Sequence, residues 1–215
     1  MKVISFSLWG TDPVYTVGAV NNAKIAQEIY PEWECWFYVG KSCPLEIKEQ
    51  LKEQPNTKVI EMNEEGSWNG MFWRFSPASD PTVDVMISRD TDCRLDKREK
   101  LAVDQWLSSG KSFHIMRDHP FHKTEILGGM WGVRGDLLKD MDNLIEKYHK
   151  GDFWQVDQNF LRERIYPIIN NDCCIHDEFF EINPFPSARV GTNFVGQAFN
   201  AENQPLHPEH GEMLR

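Results

Sequence analysis

The chain has 215 residues, 40% hydrophobic and 26% charged, the size and composition of one sizeable globular domain. Its formal net charge of −10 argues against nucleic acid and anionic membrane surfaces, because both call for a basic patch. Five cysteines, with Cys173 and Cys174 adjacent and no C-x-x-C, match neither a disulfide framework nor a zinc knuckle, and point to reduced thiols in the cytoplasm.

The start of the chain lacks the apolar run and cleavage site of a signal peptide. No stretch reaches the roughly 18 apolar residues of a membrane span. Residues 2–8 are predicted as a strand, broken by Trp9-Gly10-Thr11-Asp12-Pro13. At the top of that strand Trp9 and Tyr15 either stack on a base or cover the core edge. A helix over residues 17–30 is stopped by Pro31. A strand over 33–39, a short helix over 44–53 and a strand over 58–62 complete β-α-β-α-β, the pattern of a largely parallel sheet. Neither G-x-G-x-x-G nor G-x-x-x-x-G-K-S/T occurs, so dinucleotide and P-loop cradles are not expected.

Residues 66–75 are aromatic-rich and carry one cation, Arg74. Its guanidinium has the fork to meet a phosphate or a carboxylate, and its alternative is to lie over Trp73 and Phe75 at the surface. The next strand, Val83-Asp84-Val85-Met86-Ile87, ends in Ser88-Arg89-Asp90-Thr91-Asp92. Two acids one residue apart then stand at a strand's carboxyl end, where open α/β sheets bind ligands. Hard cations such as Mg²⁺ or Mn²⁺ take carboxylate oxygens and hold phosphates, so this stretch reads as a metal–diphosphate site.

Asp96 is a predicted N-cap for a helix over 96–109, with Glu99 three residues on. A strand over 112–117 runs into Asp118-His119-Pro120-Phe121-His122. Residues 126–135 hold four glycines and are predicted as a strand with close backbone approach, either to a sugar ring over Gly128 and Gly129 or to neighbouring backbone. Asp136 opens a predicted helix with Leu137, Leu138, Met141, Leu144, Ile145 and Tyr148 on one face. A further helix over 154–165 puts Asp157 in the middle of its apolar face, costly unless that acid is functional or paired, with Arg164 as the expected partner. Residues 173–177 are predicted as a last strand carrying His176. Residues 1–199 form the expected domain and 200–215 a polar tail or linker.

Taken in order, the strand ending in Asp90-Thr91-Asp92, the Gly128-Gly129-Met130-Trp131-Gly132-Val133 strand, the Asp157-Gln158 pair and the late His176 resemble GT-A-fold glycosyltransferases. The set is similar to retaining transferases related to glycogenin and bacterial lipooligosaccharide galactosyltransferases, and to small transferase domains of bacteria and large DNA viruses of algae. The resemblance covers residues 2–195. It implies a single GT-A-type, Rossmann-like α/β domain with a central, mostly parallel twisted sheet flanked by helices. It implies Mn²⁺ or Mg²⁺ on Asp90, Asp92 and His176. It implies a nucleotide-sugar donor, UDP-sugar favoured, against Ser7, Trp9, Gly10, Tyr15, Arg74, Asp90, Thr91, Asp92, Gly128 and Gly129. Asp157 and Gln158 become the catalytic pair, the acceptor a glycan or other hydroxyl, and the outcome retention. An inverting outcome would need a base, for which Asp118, His119 and Asp157 are candidates.

Rival chemistries fit less well. An EF-hand starting at Asp90 needs Gly and Glu where Leu95 and Leu101 stand. A phosphatase of the haloacid-dehalogenase type carries its Asp-x-Asp on the first strand. A sugar nucleotidyltransferase would want a basic, Gly-rich loop after that strand. A carbohydrate-binding module without catalysis remains the non-enzyme alternative, since it needs only exposed Trp.

Overall fold

The computed structural model describes every residue except Ile182. Seven strands form one sheet in the order β3-β2-β1-β4-β6-β5-β7. They are β1 (Lys2–Leu8), β2 (Glu34–Val39), β3 (Thr57–Glu61), β4 (Val85–Ser88), β5 (Phe113–Arg117), β6 (Trp131–Arg134) and β7 (Cys173–Asp177). β6 is antiparallel to both its neighbours, and every other pairing is parallel.

Alternation along β1 explains how the sheet is covered. Ile4, Phe6 and Leu8 point into a cluster with Ala19, Val20 and Ala23 of α1 (Pro13–Ile29) and with Val103 and Trp106. Ser5 and Ser7 point to the opposite face. There a 3₁₀ segment, Trp68–Ser79, packs directly on β1, and Ser7 Oγ accepts the Arg74 N–H at 3.0 Å. A second cluster on that face joins Phe72 and Phe75 of the segment to Met86, Trp131, Val133 and Phe160.

Element ends follow local chemistry. α1 begins at Pro13 rather than residue 17, because Asp12 caps it by accepting the Val14 N–H at 2.9 Å and proline suits the first turn. α2 (Leu45–Lys52) links β2 to β3. α3 (Lys97–Ser108) starts on Asp96, which accepts the Glu99 N–H at 2.7 Å. The Glu99 carboxylate turns inward instead of closing a capping box, and takes hydrogen bonds from Tyr30 and Arg89.

Two expected elements are shorter than their apolar patterns suggest, and a third is a continuous helical run that widens in its middle. The glycine-rich stretch is a strand only over Trp131–Arg134, with Gly128 and Gly129 in the preceding turn. The helix expected from Asp136 is α4, Met141–Glu146. The helix expected over 154–165 is α5, Val156–Phe160, followed by a π-turn over Leu161–Ile165 and by α6, Tyr166–Ile169. Pro167, with no N–H to return to the preceding turn, sits where the wider turn ends.

Residues 200–215 fold back on the domain. Phe199 and Pro205 form a bridge, and α7 (Pro208–Glu212) brings the His210 carbonyl to His119 Nε2 at 3.0 Å.

Candidate active site

The turn after β4 carries Asp90, Thr91 and Asp92 and is held from both sides. In front, Ser88 Oγ donates to the Gly128 carbonyl at 2.7 Å. Behind, Asn22 of α1 donates to the carbonyls of Thr91 and Cys93, and Arg94 donates to both of these and to that of Asp92. α1 approaches this closely because Gly18 faces the turn, where a Cβ would overlap the Thr91 carbonyl.

Arg74 joins two acids distant in sequence. Its Nη1 pairs with Asp90 Oδ1 and its Nη2 with Asp157 Oδ2 at 2.8 Å. Arg74 and Asp157 are both buried. Burial alone would lower the Arg74 pKa, but the two carboxylates outweigh it and the guanidinium stays charged. For Asp157, burial dominates the opposing pull of Arg74, and its carboxyl lies above the ordinary value. The partner expected of Asp157, Arg164, is exposed instead, and the partner it has comes from the 3₁₀ segment. Arg74 is correspondingly not a surface cation, although its buried guanidinium does lie over the Phe75 ring at 5.6 Å.

These side chains pack closely against Gly128 and Gly129. A Cβ on Gly128 would lie 2.5 Å from both Arg74 Nη2 and Asp157 Oδ2, and one on Gly129 would collide with the Asp90 carboxylate. Both glycines are therefore needed by the charged bridge itself.

Asp92 is in a different state. It is half-buried, the Cys93 thiol lies 3.8 Å from its Oδ1, and among the described residues no cation forms an ion pair with it. Burial and the neighbouring charge of Asp90 push its pKa up to about 6. Asp90, Asp92 and Cys93 bring ligand atoms within 4.8 Å of one another. Burial also raises the Cys93 thiol well above its ordinary value, which leaves it a protonated, weak ligand. The usable donors are carboxylate oxygens, the set that hard divalent cations prefer. Asp90, Asp92 and Asp157 against the single Arg74 leave two negative charges, which one divalent cation balances.

The turn lies in a cleft of about 470 Å³, within the roughly 300–1,000 Å³ usual for ligand sites. Ser7, Gly10, Thr91, Gly128, Gly129 and Gln158 also line it. Trp9 is wedged there, edge-on to Trp73 at 6.0 Å and against Gly66. Gly10 takes φ 75° and donates to Ser42 Oγ at 2.8 Å. Tyr15 is 45% exposed, and burial with the nearby Asp92 charge raises its pKa.

His176 stands apart and corrects the expected ligand set. Its Nδ1 meets His114 Nε2 at 2.8 Å and its Nε2 meets Gln105 Oε1 at 3.0 Å. Both ring nitrogens are engaged in the core behind β5 and β7, and the residue does not line the cleft. The other strand-end groups are similarly occupied. Asp118 is fully buried among Arg98, Arg189 and the Val195 N–H. His119 accepts from the Phe121 N–H on Nδ1 and meets the His210 carbonyl through Nε2.

Several further residues line the cleft. Trp68 and Trp154, 45% and 65% exposed, stand in the cleft lining, and a tryptophan in a polar loop was their only signal. Gln155 holds a left-handed φ of 67° just before α5, unusual for a residue with a Cβ. Gly196, from the C-terminal third, and His122 complete the wall.

The sequence matches no family model and no curated protein. Its fold does match solved structures. A glycosyltransferase involved in glycosylation of the major capsid of PBCV-1 superposes with a TM-score of 0.54 at 17% identity, over 84% of this chain and 82% of that one. The galactosyltransferase LgtC, in complex with donor and acceptor sugar analogues, gives 0.51 at 12% identity, over 84% and 74%. TarS residues 1–349 from S. aureus, in complex with UDP, gives 0.56 at 12% identity, over 82% and 58%. At these identities the likeness establishes the fold, which is of the GT-A type.

Proposed function

We propose that the chain is a metal-dependent glycosyltransferase. It moves a sugar from a nucleoside-diphosphate donor, with UDP as the favoured nucleotide, to a hydroxyl of a glycan acceptor, with retention. The observation that carries this reading is the pair of strand-end acids in the cleft, one tied to Arg74 and the other, among the described residues, in no ion pair.

Asp90 and Asp92 are the residues that would hold Mn²⁺ or Mg²⁺, which when bound supplies Lewis-acid stabilisation of the leaving diphosphate. Trp9 and Tyr15 offer ring faces for the base. Arg74 fixes the spacing between Asp90 and Asp157, so that the metal-binding acid and the catalytic pair keep one geometry. Asp157 and Gln158 stabilise positive charge at the sugar as the donor bond breaks. Retention suits the engaged state of the three candidate bases: Asp118, His119 and Asp157 each already hold partners. Exposed Trp68 and Trp154 suit the apolar faces of a glycan. The five cysteines are free, which suits a cytoplasmic site of action, and among the described residues no helix is long and apolar enough to cross a membrane.

The test is the thermal midpoint with UDP-glucose and Mn²⁺ for wild type and Asp92→Ala. A rise that needs both nucleotide and metal, and that the substitution removes, supports the transferase. Absence of any shift with UDP-, GDP- and dTDP-sugars sinks it. Binding of free saccharide without nucleotide would favour the carbohydrate-binding alternative.

A further inference from the structure

His122, which closes the Asp118-His119-Pro120-Phe121-His122 stretch after β5, lines the cleft next to Gly196. Its ring orientation is set by a main-chain contact. The Asp118 N–H lies 3.0 Å from His122 Nδ1. A backbone N–H only donates, so Nδ1 is the acceptor and the neutral ring carries its proton on Nε2. Nε2 has no partner among the described residues, and it is not among the buried polar atoms left without one. It is an open N–H donor in the cleft.

We propose that His122 is a donor-binding residue that gives its Nε2–H to an oxygen of the nucleotide sugar, and that it does not serve as a base. The inference rests on the reading of the cleft as a nucleotide-sugar site. Its support is rigidity as well as position. The His122 N–H donates to the His119 carbonyl at 2.9 Å, so the turn from 119 to 122 is closed on itself. The residue that orients the ring, Asp118, is immobilised by Arg98 and Arg189. A Cβ on Gly196 would sit 3.3 Å from His122 Cε1, so the far wall fits closely against the ring. Burial, with a smaller push from His119, lowers the His122 pKa to about 4, which keeps the ring neutral at assay pH.

Two substitutions divide the ring's functions. His122→Asn keeps an acceptor near the Nδ1 position for the Asp118 N–H and lacks the distal donor. His122→Gln restores an N–H near the Nε2 position and loses the Nδ1 acceptor. Titration of the full chain with UDP-glucose and Mg²⁺ is expected to show about tenfold weaker binding for His122→Asn at an unchanged thermal midpoint. His122→Gln is expected to bind within about threefold of wild type even where its midpoint falls. Affinity that follows the midpoint instead of the distal donor overturns the proposal, as does full affinity in His122→Asn. Nitrogen-15 spectra of labelled histidines give a second readout: an Nε2-bound proton in the free protein, shifted on adding UDP-glucose with Mg²⁺. A proton on Nδ1, or an unmoved Nε2 signal, also overturns it. If wild type binds none of UDP-, GDP- and dTDP-glucose, the donor reading and this inference fall together; if wild type binds and the variants do not differ, only this inference falls.

Discussion

Asp118 and Asp92 both follow strands of the same sheet, and they are satisfied to opposite degrees. Asp118 accepts from Arg98 through two nitrogens, from Arg189 at 2.7 Å and from the Val195 N–H at 2.9 Å, and no part of it reaches solvent. Asp92 has the Cys93 thiol and the repulsion of Asp90. Around Asp118, Arg98 also pairs with Glu178, and Arg117 pairs with Asp177 and Glu181, so the C-terminal third is tied to β5 by charges whose partners are all present. The difference separates architecture from site. An acid at a strand end is structural when the fold supplies its cations, and a binding group when the fold withholds them.

Asp118→Ala should break this contrast most severely. Arg98 and Arg189 would be left without their shared carboxylate, and the loss of unfolding free energy should be about 3–5 kcal/mol in urea denaturation. A loss under about 1 kcal/mol would remove Asp118 from the structural class. Asp92→Asn should do the reverse. UDP release from UDP-glucose in Mn²⁺ should slow by about 100-fold, while the metal-free midpoint holds or rises as repulsion with Asp90 is relieved. Equal activity with and without the Asp92 carboxylate would contradict the open-site reading.

Acid titration sharpens the contrast on the structural side. Burial and the Arg98 charge lower the His176 pKa to about 4 against an ordinary value near 6.5. The unfolded chain then binds the extra proton first, so this contribution is complete above about pH 6.5 and is lost as pH falls towards 4. Between pH 7 and pH 4.5 it should amount to a loss of about 2 kcal/mol of urea stability, absent from the slope of His176→Gln. Identical slopes for the two proteins would rule out a buried neutral His176. The smallest expected effect is at the open site. Gly129→Ala should displace the Asp90 carboxylate and weaken UDP-glucose binding with Mn²⁺ about tenfold without unfolding the chain.

Much of the frame was legible before any coordinates. The apolar runs of β1, β2 and β4, with helices between, predict a largely parallel sheet, and the pair of acids stands just after the carboxyl end of β4. The antiparallel β6 was not legible, because a four-residue apolar run has no direction in sequence. The helix after Asp136 was overread, whereas the one after Trp154 is helical from Val156 to Ile169 with a π-helical middle that the spacing did not announce. Leu137 and Leu138 are spaced for one long face with Met141, yet the chain spends them on turns before α4.

At the site, the sequence by itself singled out the candidates: Asp90 and Asp92 by their spacing at a strand end, and Asp157 by standing on an apolar face that a carboxylate does not occupy without cause. Only the tertiary structure decided how they are joined. Arg74 turned out to bridge Asp90 to Asp157, and the two glycines make room for that bridge. His176 was drawn into the core by His114 and Gln105, while His122 reached the cleft through a contact to the main chain of Asp118. The physical reason is common to all of them. Residue type and spacing specify what a group can bond to, but a buried charge or ring takes whichever partner the packing of distant segments brings within about 3 Å, and sequence separation carries no record of that distance.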